Sequence, residues 1–135
     1  MFVTRLRRPL VVALLLVLAL IPAAGRSALV AAASLSFGVG STADTHDAVP
    51  GDGLCADSSS QCTLRAAVEE ADAQPQGSAI TITIPAGTYA LPLGTLALTR
   101  NTVTLAGTGA SATTLDGQGN RLLVVAVTAF VKIGG

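Results

Sequence analysis

The side chains that carry most enzyme and metal chemistry are scarce here: the 135 residues hold one histidine, two cysteines and eight carboxylates. Asp44, Asp47, Asp52 and Asp57 offer hard oxygen ligands. Their spacing does not follow a calcium loop, which alternates ligands around a tight turn and closes on a bidentate glutamate. They are expected to be solvated turn residues. His46, between Thr45 and Asp47, has no second histidine with which to hold a metal and is expected on a surface loop. Glu69 and Glu70 are neighbours on a predicted helix, where adjacent side chains diverge. They therefore form no paired acid and base, and are expected on solvated helix surface. Asp116, before Gly117, is a turn residue. Gly107-x-Gly109 leads into β-type residues, so it is no dinucleotide loop. No catalytic residue, metal ligand or cofactor follows from these types and spacings, and the chain is expected not to be an enzyme.

What must position these residues begins after residue 33. Arg5, Arg7 and Arg8 precede an apolar run from Leu10 to Ile21, then Pro22 and small residues. That is the order of a secretory leader, and the run falls short of the roughly 20 residues of a bilayer span. Residues 1–33 are expected to be a signal peptide. Cleavage is expected after Ala31-Ala32-Ala33 in preference to Ala23-Ala24-Gly25. Arg7-Arg8 lacks the surroundings of a twin-arginine signal, which leaves the general secretory route and an extracellular or cell-surface location.

Without the leader the charge changes. Four of the eight basic residues precede Ser34, and no acidic one does. Arg65, Arg100, Arg121 and Lys132 then face eight carboxylates, a formal charge of −4 that disfavours nucleic acid and anionic membrane surfaces. Cys55 and Cys62 both lie in the exported part, where thiols are usually oxidised. An even count with one possible pairing predicts a Cys55–Cys62 disulfide, with a pair of reduced, buried thiols as the alternative. The spacing suits neither a redox C-x-x-C site nor a zinc knuckle.

Residues 34–62 form a Gly/Asp-rich loop that starts with a short strand, Leu35 to Val39. A helix is predicted over 63–74: Leu64, Ala67, Val68 and Ala71 share one face, Thr63 is the natural N-cap, and Gln74-Pro75-Gln76-Gly77 ends it. From residue 78 the period becomes that of strands. Ile80 to Ile84 alternates strictly, a turn at Pro85 leads into a strand near Tyr89, and further strands are predicted at 95–99, 102–105, 113–115, 122–127 and 130–133. Glycines and turn residues separate them, without a rigid period. Short aliphatic and threonine strands with such corners suit either a solenoid or a β-sandwich.

Cys62-Thr63-Leu64-Arg65-Ala66-Ala67-Val68-Glu69-Glu70-Ala71 resembles the CSLREA element of secreted bacterial proteins. The resemblance runs from about Thr42 to the end, through the acidic loop, the cysteine pair, the helix and the Ile-Pro-Ala-Gly-Thr-Tyr turn. Its motif positions here are Thr63, Leu64, Arg65, Ala67, Val68 and Ala71. It implies a mainly β fold: a helix covering the N-terminal end of a right-handed parallel β-helix whose coils occupy 78–135. The family's capping glutamate is replaced by Ala66, which should weaken the helix start. Arg65 is expected to bond a loop carbonyl or a carboxylate such as Asp57. The implied function is a secreted structural or display module. The alternatives are the N-terminal part of an extracellular polysaccharide lyase or hydrolase, or a glycan-binding adhesin. The strand-like sequence stops at Gly135 after roughly three coils. The expectation is therefore a truncated β-helix, or one that associates with itself through that end.

Overall fold

The structure, a computed structural model, describes residues 34–126 and 129–134. The expected leader and both cleavage sites lie outside them, as does Val127 at the end of one predicted strand. The described chain is mainly β with a single helix. It runs β1 (Ser34–Gly38), α1 (Leu64–Ala73), β2 (Ala79–Ile84), β3 (Gly87–Ala90), β4 (Leu96–Leu98), β5 (Thr102–Gly107), β6 (Thr113–Asp116), β7 (Leu123–Val125) and β8 (Phe130–Gly134). Each predicted strand is present, with ends displaced by a residue or two.

All strand pairs among the described residues are parallel. Three small sheets form: β1-β2-β5-β8, β3-β6 and β4-β7. The strands β2, β3 and β4 thus pair in the same order with β5, β6 and β7. This sets aside the sandwich, which is built from antiparallel sheets. Parallel neighbours need long crossovers, and here β3 and β4 with their turns carry the chain from β2 to β5. The sequence separation varies, since Ala79 is opposite Thr102, Gly87 opposite Thr113 and Leu96 opposite Leu123.

Alternation decides which face turns inward. In β2, Ile80, Ile82 and Ile84 are buried, and Thr81 and Thr83 face outward. Register then stacks like on like: Leu35, Ile80, Val103 and Val131 form one row, and Phe37, Ile82, Leu105 and Ile133 the next. Each fully buried aliphatic is worth about 1.5–3 kcal/mol. Tyr89, Leu91, Leu96 and Leu98 extend the same core, and the Tyr89 hydroxyl donates to the Pro85 carbonyl at 3.0 Å. At the corner after β6 the backbone folds tightly. A Cβ on Gly117 would lie 2.5 Å from the Asn120 carbonyl oxygen, so no larger residue fits without a shift.

Helix α1 lies against β4 and β2. Its predicted face, Leu64, Ala67, Val68 and Ala71, is buried as expected, but Arg65, Ala66 and Glu70 are buried too. No described helix is long and apolar enough to cross a membrane.

Candidate functional site

The polar groups that sequence reading singled out converge on α1 and the loop before it. Thr63 is the N-cap, in extended backbone. Its Oγ1 accepts from the Ala66 amide at 3.1 Å and donates to the Thr45 carbonyl at 2.7 Å. The loop therefore occupies the place where a reciprocal glutamate cap would act. Ala66 is fully buried, a physical reason for alanine at that position. The Cys55–Cys62 disulfide closes the loop at the foot of the helix.

Arg65 bonds a carboxylate and a carbonyl, as expected, but the carboxylate is Asp44 and not Asp57. Its Nε donates to Asp44 Oδ1 at 2.6 Å and its Nη2 to Oδ2 at 3.2 Å. Nη2 also donates to the Gly94 carbonyl at 2.7 Å. Asp44 Oδ2 accepts the Leu93 amide at 2.8 Å as well. The two side chains are only 6% and 2% exposed. One buried pair thus ties loop, helix and the turn before β4 together. At the other end of β4, Asp72 accepts the Thr99 amide at 2.6 Å, the Thr99 hydroxyl at 2.7 Å and the Arg100 amide at 3.1 Å.

The last turn of α1 leaves carbonyls without intrahelical donors. Buried Asn101 supplies them: its Nδ2 donates to Ala71 O at 2.8 Å and Gln74 O at 3.1 Å, while its Oδ1 accepts the Gly77 amide at 3.0 Å. Sequence reasoning passed over Asn101 and Asp72. The available signal for Asn101 was an asparagine at the corner just before a strand.

The carboxylates of the loop and helix depart from the expected solvated state. Glu70 is fully buried because it gathers the Gly51 amide, the Gly53 amide (2.6 Å) and the Gln74 side-chain amide. Gly51, at φ +100°, adopts a backbone that favours glycine. Asp47 is buried and accepts the Val49 amide at 2.9 Å and the Ala56 amide at 3.2 Å. Asp57, also buried, accepts from Ser59 N and Gln61 N at 2.8 and 2.9 Å and from the Thr45 hydroxyl at 2.7 Å. The Gln61 amide, then the Thr45 hydroxyl, hold its carboxyl below the usual range against the opposing effect of burial, with the Ser59 amide assisting. Asp52 fits the expectation: it is exposed and accepts the Leu54 amide at 2.8 Å. Asp116 likewise makes a turn, accepting Gln118 N at 2.9 Å.

His46 is exposed, and its Nδ1 lies 2.6 Å from Glu69 Oε1. Glu69 Oε2 accepts the Asp47 amide at 2.9 Å, so this pair pins the loop to the helix. No group of three or more metal-ligating side chains occurs among the described residues. A shallow groove of about 510 Å³ runs between α1 and β4, lined by Glu69, Asp72, Arg100, Ala97 and Pro50. The carboxylates in it already accept loop and corner amides. A second, more apolar groove of about 340 Å³ lies toward β8, between Ile84, Leu105, Leu115 and Ile133.

This arrangement binds backbone to backbone through side chains. Its chemistry is that of a fastening, in which carboxylates accept amides of the loop, the turn before β4 and the corner after it. Comparison with known proteins adds no name: no family model, no curated protein and no solved structure matches the chain.

Proposed function

We propose that this chain is an exported, non-catalytic structural module of the CSLREA type, in which α1 and its loop cap the N-terminal end of a right-handed parallel β-helix. The coils are β2-β3-β4 and β5-β6-β7, and β8 begins the next. The observation that carries this reading is the placement of α1 against β4. There Arg65, Asp44 and Asp72 bond backbone groups on both sides of that strand, and Asn101 bonds the helix end in return. An uncapped coil would present unpaired strand edges and an apolar cross-section, which invite aggregation. The disulfide is in keeping with an oxidising, extracellular setting.

Two measurements test the reading. The intact mass of native, non-reduced protein recovered outside the cell should begin near Ser34 and show the disulfide. Incubation with a panel of extracellular polysaccharides should release no reducing or unsaturated ends. Release would make the chain part of a lyase or hydrolase. Retention on a glycan without turnover would make it an adhesin.

A further inference from the structure

The largest sheet, β1-β2-β5-β8, ends on two strands that have no outer strand partner among the described residues. Both edges belong to one parallel ladder, so a β8 edge and a β1 edge of two molecules meet in the polarity that the sheet already uses. The two ends also differ in charge. Asp44, Asp47, Asp52, Asp57, Glu69, Glu70 and Asp72 all precede β2, against Arg65 alone, which is paired with Asp44. From β2 onward, Arg100, Arg121 and Lys132 face only Asp116. The β8 end is apolar as well: Ile133 is 73% exposed, and Leu122, Val124 and Val125 are partly bare. Ile133 also lines the groove beside Leu105 and Leu115.

We propose, on the structural-module reading above, that the occupant of this end is a second copy of the chain, docked head to tail: β8 of one molecule pairs in parallel with β1 of the next. Charge complementarity brings the basic end onto the acidic one and fixes the order of approach. Continuing the observed register places Val131 beside Leu35, Lys132 beside Ser36 and Ile133 beside Phe37 of the next copy. The inward rows then remain aliphatic across the junction. The interface is heterologous, so it propagates as a filament unless the rotation closes a ring.

Ser36 and Lys132 are both exposed, so substitutions there leave the monomer core intact. Sedimentation of the exported protein over a concentration series should show growing assemblies. Ser36→Lys places like charges in register across the junction and should weaken association about tenfold. Ser36→Glu should strengthen it, and Lys132→Glu combined with Ser36→Lys should restore it. A monomer at every concentration overturns the proposal, as does an equal response to both Ser36 variants. An assembly that responds to Lys132→Glu but not to Ser36 is joined through β8 alone, and also overturns it. A monomer without polysaccharide turnover leaves the module reading standing, whereas turnover ends that reading whatever the assembly.

Discussion

Asp44 and Arg65, 21 residues apart in the chain, meet as a buried ion pair with Nε 2.6 Å from Oδ1. Each also bonds the turn before β4, so the pair is a three-way joint. Removing one partner strands a buried charge, which typically costs about 3–5 kcal/mol. Arg65→Ala should therefore lower the urea midpoint sharply. Asp44→Ala with Arg65→Ala should cost less than the two single changes added together. Additive losses would mean that the two side chains act independently.

Glu70 holds the loop tip. Glu70→Gln keeps the size but replaces an oxygen acceptor with an NH₂ that faces donors, which should cost about 1–3 kcal/mol. The local signature is hydrogen exchange: the Gly51 and Gly53 amides should lose protection before those of β2 and β5. Uniform loss across all of them would show that the tip does not open separately.

The disulfide closes a short loop, and chain entropy assigns such a loop about 2–3 kcal/mol. Cys55→Ser with Cys62→Ser should lower the denaturant midpoint by that amount while α1 persists by circular dichroism. Loss of the helix signal would make the bridge a requirement for the cap to form.

Asp57 sets the sign of one pH dependence. Its folded-state carboxyl titrates below the unfolded value of about 3.9. The stability it contributes is therefore fully present above the unfolded value and is lost as pH falls through the folded one. Protection of the Ser59 and Gln61 amides should fall on acidification into that window. Asp57→Asn should flatten the dependence. An unchanged acid profile in that variant would assign the effect to other carboxylates.

Much of the framework was legible because local rules act alone there. Strict alternation from Ile80 to Ile84 leaves one way to bury three isoleucines, and Thr63 before an apolar face marks a helix start. The pairing of strands was less accessible, because the corners vary in length and only three-dimensional register sets Leu96 opposite Leu123. The carboxylates were misjudged for a related reason. Whether Glu70 meets water or two glycine amides depends on the path of a loop some 20 residues away, as does the choice of Asp44 over Asp57 for Arg65.

Ala66 separates local from tertiary logic most sharply. On sequence grounds Ala66→Glu completes a capping box with Thr63, a change in the direction that stabilises isolated helix starts. In the fold, Ala66 is fully buried and Thr63 Oγ1 already bridges Ala66 N and Thr45 O. A glutamate there must displace core atoms or bury a carboxylate with no cation near it, a penalty of several kcal/mol. That exceeds the roughly 0.5–2 kcal/mol that a cap contributes. The variant should be less stable in urea, with a carboxyl that titrates higher than usual as burial opposes its charge. A gain in stability would mean that the loop can move aside and that the position is enclosed less firmly than the packing around Thr63 indicates.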